Sequence, residues 1–181
     1  MLTEILNELN IAFAQLEFAV RLLSYCELGH VNPSDFDTDH LTQLPNGNLH
    51  FPSGNYADND AICRAASINV IMTFGTSALA LDQTFENFGI LPDPNASDNI
   101  IRLRTLVYMV RCAFAHRIAD PRWEARGKYQ RNLSVDIPSG TISLDLASLN
   151  GAAFDIESIG GYIGWYEMHQ LAKDRFHQHF T

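Results

Sequence analysis

The sequence predicts an all-α fold: four long helices with one or two hairpin inserts, forming a single domain over residues 1–181. Three observations lead there. Apolar residues recur at spacings of three and four through four long stretches, which is the period of a helix with one buried face. Asn, Asp and Ser, or Gly and Pro, punctuate the ends of those stretches. Only one clear segment, around residues 133–146, alternates with period two.

The first helix is expected over about residues 2–28, where Leu2, Ile5, Leu9, Phe13, Leu16, Val20 and Leu23 mark one face and Gly29 supplies a stop. From His30 to Ala57 the chain turns to Asn, Asp, Pro and Gly, and Pro45-Asn46-Gly47-Asn48 suits the closure of a small hairpin. A structureless loop of that length is unusual, so this segment reads as a binding loop or a partly ordered cover. Asp58-Asn59-Asp60 caps a second helix reaching about Phe88, ended by Gly89, Pro92 and Pro94. Ile62, Ala66, Val70, Ile71, Phe74, Leu79, Leu81 and Phe85 cover most of its circumference, which makes it the expected central helix, with Asn69 as a hydrogen-bonded interior polar residue.

Asn95-Ala96-Ser97-Asp98 opens a third helix over about residues 98–117, with Ile100, Leu103, Val107, Val110 and Phe114 as its core stripe and Leu106, Met109 and Ala113 as a second strip. Two strips imply two partners, the bundle core and another helix or a second copy across a two-fold axis. Leu133-Ser134-Val135-Asp136-Ile137 and Ile142-Ser143-Leu144-Asp145-Leu146 flank Pro138-Ser139-Gly140 as a hairpin. From about Asp155, Ile156, Ile159, Ile163, Tyr166, Met168, Leu171 and Phe176 make a last helix, weakened at its start by Gly160-Gly161 and Gly164.

Composition narrows the function. With 21 acidic residues against 12 Lys and Arg, the formal net charge is -9, which argues against a broad electrostatic grip on nucleic acid. Yet Arg102, Arg104, Arg111, Arg117, Arg122, Arg126, Lys128 and Arg131 fall within one short stretch, so any nucleic-acid contact is expected to be local. No apolar run approaches the roughly 18 uncharged residues of a bilayer span. Met1-Leu2-Thr3-Glu4 also lacks a basic leader region, and a cytoplasmic protein without membrane contact is expected. Cys26, Cys63 and Cys112 read as reduced, buried small residues. His169, His177 and His179 invite a metal reading, but His177-Gln178-His179 lacks a third fixed donor and reads as a frayed end, so no metal or cofactor is expected.

The functional candidates concentrate at the end of the third helix. Arg111-Cys112-Ala113-Phe114-Ala115-His116 sets an arginine and a histidine five positions apart, about 140° around an ideal helix. A two-fold pairing would bring two of each around one groove. That set suits phosphodiester chemistry: a histidine exchanges a proton with a ribose 2′-hydroxyl or the leaving oxygen, and a guanidinium holds the charge building on phosphate. The structural alternative is a buried Arg111 paired with Glu17, Asp82 or Glu86, and a His116 favoured at a helix C-terminus. Asp120 and Glu124 could orient His116 or neutralise Arg117 and Arg122, the second being favoured; Trp123 reads as a packing lid. Arg117, Arg122, Arg126, Lys128 and Arg131 either steer RNA or form a solvated basic loop, and the sequence favours neither.

The Arg-x4-His element near the end of a helix in a bundle resembles the HEPN family, and its continuation, Arg-x4-His-x4-Pro-x-Trp-Glu, looks like one bacterial branch of it. The likeness covers roughly residues 58–180. It implies a dimeric four- to five-helix bundle with a small β-hairpin insertion after the motif helix. It also implies a metal-independent endoribonuclease of toxin, phage-defence or RNA-processing type, with Arg111 and His116 as the motif pair. The alternative it leaves open is a catalytically inactive module that binds nucleotide, RNA or protein. The partners it suggests are a second copy, RNA, and an antitoxin or nucleotidyltransferase. The sequence departs from the family at the position after the arginine, often Asn or Asp there and Cys112 here.

Overall fold

The computed structural model describes the backbone of residues 2–178 and the side chains of residues 6–178. The chain forms α1 (Leu2–Glu27), a short α2 (Pro33–Phe36), β1 (His40–Leu44), β2 (Gly47–Phe51), α3 (Asn59–Asn87) and α4 (Asn99–Phe114). After a 3-10 turn at Gly127–Tyr129 come β3 (Asn132–Ile137), β4 (Gly140–Asp145), the short α5 (Leu146–Leu149), a second 3-10 turn at Ile156–Ile159 and α6 (Gly161–Gln178). Two compact units result, the smaller one of Phe13–Thr73 and the larger of the described residues on either side of it.

In the smaller unit Cys26, Ile62 and Ala66 are buried, with Leu22, Leu23, Val31, Tyr56 and Cys63 packed around them. The expected stop at Gly29 is present: its φ is 71°, its N–H donates to the Cys26 carbonyl, and the His30 N–H donates to that of Tyr25. The Asn- and Pro-rich segment is ordered into α2 and the β1–β2 hairpin, which turns between Leu44 and Gly47 as Pro45-Asn46 suggests. Asp39 and Asp37 accept the backbone N–H groups of Ser53 and Gly54, tying the chain after β2 to the residues before β1. The Ser53 bond also holds the Asp39 carboxyl below its ordinary range.

The larger unit is built on α4. Asp98 caps it by accepting from the Ile100 and Ile101 N–H groups, as the sequence predicts. Both expected strips are buried apart from the half-buried Ile100: Leu103, Val107, Val110 and Phe114 on one side, Leu106, Met109 and Ala113 on the other. The helix ends at Phe114 rather than near residue 117. Its last carbonyls find other donors, because the Ala115 N–H closes on Cys112 and the Arg122 N–H takes the Ala113 carbonyl. His116 therefore stands beyond the helix.

The all-α expectation is overturned. The chain is 58% helical with two small antiparallel two-stranded sheets, a helix-rich mixed α/β fold. The physical reason lies in the second hairpin. Leu133, Val135 and Ile137 of β3 and Ile142 and Leu144 of β4 all turn their side chains into the core, so the hairpin is a packed layer and not an appendage. Asn99 at the start of α4 clamps it, donating to the Asp136 carbonyl at 2.8 Å and accepting from the Asp136 N–H at 2.9 Å.

The last helix also starts later than its pattern suggests. Asp155 caps the 3-10 turn, Gly160 follows with φ 85°, and α6 begins only at Gly161. Trp165, Met168, Ala172 and Phe176 are its buried face, and the Trp165 indole N–H donates to the Ser77 hydroxyl of α3 at 2.9 Å.

The expectation that no segment is apolar enough to span a bilayer needs amendment. α3 is long and apolar enough by length and composition, with a mean hydropathy of 1.3 over its best window. Core helices pass the same test, and α3 sends Phe74, Leu81 and Phe85 into the core.

Candidate functional site

Arg111 and His116 do not share a site within the chain. Arg111 lies in the last turn of α4, its side chain 40% exposed and its Nε 3.9 Å from the Asp82 carboxylate. It lines an apolar groove of about 310 Å³ with Gly75, Leu79, Phe114 and Ile118. His116 lines a different cavity of about 340 Å³, together with Arg117, Asp120, Arg122, Glu124 and Arg126. Its side chain is 75% exposed.

The early end of α4 creates that second cavity. From Ala115 the chain turns away, and two backbone bonds with the segment before the last helix hold it: the Trp123 N–H donates to Ala152, and the Gly151 N–H to Trp123. Trp123 is buried and packs its ring against Phe154 at 5.2 Å, so it serves as a lid and offers no stacking face. Asn150 and Gly151 line the cavity from the far side of the hairpin. Sequence reasoning misses both, because nothing local to them signals a neighbour so far back along the chain.

Charge in the cavity is divided into pairs. Asp120 lies 3.1 Å from Arg122 and 3.8 Å from Arg117, while Glu124 lies 3.5 Å from Arg126 and 4.0 Å from His116. Arg122 also donates to the Gly151 carbonyl. Three arginines against two carboxylates leave one net positive charge, and protonation of His116 adds a second. A phosphate group therefore finds guanidinium donors here without meeting a surplus of anions.

Lys128 is not part of this cavity. It stands over the Tyr129 ring at 5.2 Å, and Tyr129 in turn packs on Tyr108. Tyr108 shares a hydrogen bond with Cys112, and this bond, the electrostatic influence of Cys112 and burial push the phenol up to about 12. Cys112 is half-buried beside this ring, as Cys63 is in the smaller unit, so of the three expected buried thiols only Cys26 is fully enclosed.

The buried arginine that the sequence allowed for Arg111 is instead Arg104. Its guanidinium is wholly buried against Asp82, with Glu86 at 3.6 Å and the Ile90 carbonyl accepting from Nε at 3.0 Å. Burial pushes the Asp82 carboxyl up, against the pull of Arg104. Among the described residues no group of three or more His, Cys, Asp or Glu is arranged to hold a metal ion. His169 is buried in α6, His177 is exposed, and His179 lies outside the described residues. No family model, curated protein or solved structure matches the chain.

Proposed function

We propose that the chain is a HEPN-like, metal-independent endoribonuclease acting as a cytoplasmic homodimer, of toxin, defence or RNA-processing type. The observation that carries this reading is His116, an exposed proton carrier, beside Arg117, Arg122 and Arg126 in one cavity. In it His116 exchanges a proton with the ribose 2′-hydroxyl or with the leaving oxygen, and the arginines hold the phosphate, so the substrate's own 2′-hydroxyl is the nucleophile.

A second copy has a role in this reading. Arg111 opens into a groove with Leu79 and Ile118, which are 49% and 43% exposed, and such exposed apolar side chains favour a partner surface. Pairing of two α4 ends would let each Arg111 serve the neighbouring phosphate path. An antitoxin or nucleotidyltransferase partner belongs to the same reading, and Lys128 would extend the path beyond the cavity.

The second reading is a catalytically silent module that binds RNA, nucleotide or protein through the same cavity. It is favoured by Arg111 being drawn toward Asp82 and away from His116. Metal-free cleavage of an RNA pool in EDTA, run for wild type and His116→Ala beside a solution mass, separates the two. Cleavage by a wild-type dimer alone, leaving 2′,3′-cyclic phosphate ends, supports the ribonuclease. A folded protein that binds RNA and does not cut it supports the module.

A further inference from the structure

We infer that Glu124 is the second proton-transfer group of the His116 cavity, acting as general base while His116 acts as general acid. This inference rests on the ribonuclease reading. Glu124 Oε2 lies 4.0 Å from His116 Nε2, close enough to serve one phosphodiester and too far for a hydrogen bond that would lock the pair. Arg126 Nη2 meets the same oxygen, Oε2, at 3.5 Å. Oε1 has no hydrogen-bond or ion-pair partner among the described residues, so it is the oxygen free to take a proton.

The contrast with Asp120 singles Glu124 out. Asp120 is occupied by two arginines, at 3.1 and 3.8 Å, and its part is to hold them. Glu124 alone of the two carboxylates stands by the imidazole. Its side chain is 32% exposed, so solvent and substrate both reach it, while the more exposed His116 can turn to admit a phosphate between them.

The step balances within one protomer. Glu124 takes the proton of the ribose 2′-hydroxyl, the 2′ oxygen forms a bond to phosphorus, and the bond from phosphorus to the 5′ oxygen breaks. Protonated His116 gives its proton to that leaving oxygen. The products are a 2′,3′-cyclic phosphate and a 5′-hydroxyl end, and exchange with water returns Glu124 and His116 to their starting states. Arg122 and Arg126 face the charge that builds on the phosphate oxygens.

The test is the pH profile of kcat/KM for metal-free cleavage by wild type, Glu124→Gln, Glu124→Asp and His116→Ala. A ribonucleoside 3′-(4-nitrophenyl phosphate), whose leaving group needs no acid, is the second substrate. The expected wild-type profile is bell-shaped. Glu124→Gln should lose the acidic arm and fall about 100-fold on both substrates, with Glu124→Asp restoring part of the rate. His116→Ala should lose the alkaline arm and recover on the nitrophenyl substrate. Should Glu124→Gln not fold, Glu124→Asp carries the comparison, since a shorter carboxylate keeps the acidic arm at a reduced rate. Wild-type rate and profile in Glu124→Gln overturn the inference and leave the ribonuclease reading standing. Wild-type cleavage no faster than that of His116→Ala overturns both.

Discussion

Arg104 and Asp82 form an ion pair sealed inside the protein, the guanidinium fully buried and the carboxylate 4% exposed. Removing either partner leaves a buried charge without its counterion, so Arg104→Ala and Asp82→Ala should each cost about 3–5 kcal/mol in urea unfolding. Arg111 approaches the same carboxylate only to 3.9 Å with a side chain 40% exposed, and Arg111→Ala should cost under about 1 kcal/mol. Equal losses at positions 104 and 111 would make Arg111 a scaffold residue and remove it from the proposed chemistry.

His169 gives stability a pH dependence. Burial, reinforced by Lys173, lowers its pKa to about 4 from an ordinary 6.5. The unfolded chain therefore takes up the proton first as pH falls, and stability present above about 6.5 is lost down to about 4. The loss is on the order of 3 kcal/mol, from about 1.4 kcal/mol per pKa unit. His169→Gln cannot titrate, and its unfolding free energy should fall less between pH 7 and 4.5 than that of wild type. Parallel curves for the two proteins would sink the assignment.

How legible these features are in the sequence depends on the range of the interactions behind them. The Asp98 cap, the Gly29 stop, the two strips of α4 and the alternation of β3 and β4 are written in residues within a few positions of one another. The end of α4 is not, because Arg122 caps Ala113 from well beyond the helix. Ideal helical spacing consequently carries His116 too far along the helix. The class assignment fails for a related reason: alternation identifies a hairpin without saying that its apolar face closes the core. Arg104 looks like one of a basic cluster, and only the fold brings Asp82 and Glu86 to it.

Gly164 is held to its size by backbone. A Cβ there would lie 2.6 Å from the carbonyl oxygen of Ile159, a residue buried in the core, so the contact cannot be relieved by turning a side chain. Gly75→Ala would instead meet the Phe114 ring at 2.7 Å, and a ring can shift. Gly164→Ala should lower stability by about 2–3 kcal/mol and Gly75→Ala by less, measured by thermal unfolding. The reverse order would show that the start of α6 is looser than its contacts indicate.

The cavity's arginines should reveal themselves through salt. Each phosphate contact that a guanidinium makes releases a counterion, so Arg122→Ala and Arg126→Ala should each reduce by about 1 the slope of log affinity against log salt for an uncleavable 2′-deoxy-substituted strand. Both should also weaken binding beyond the lost contact, since each frees a carboxylate to repel the phosphate, Asp120 at 3.1 Å from Arg122 and Glu124 at 3.5 Å from Arg126. Lys128 sits over Tyr129 and outside the cavity, so Lys128→Ala should change the slope by less than half as much. A slope unchanged at positions 122 and 126 and lowered at 128 would move the strand off His116 and onto the Tyr108–Tyr129 face, which would leave the imidazole without a phosphate to act on.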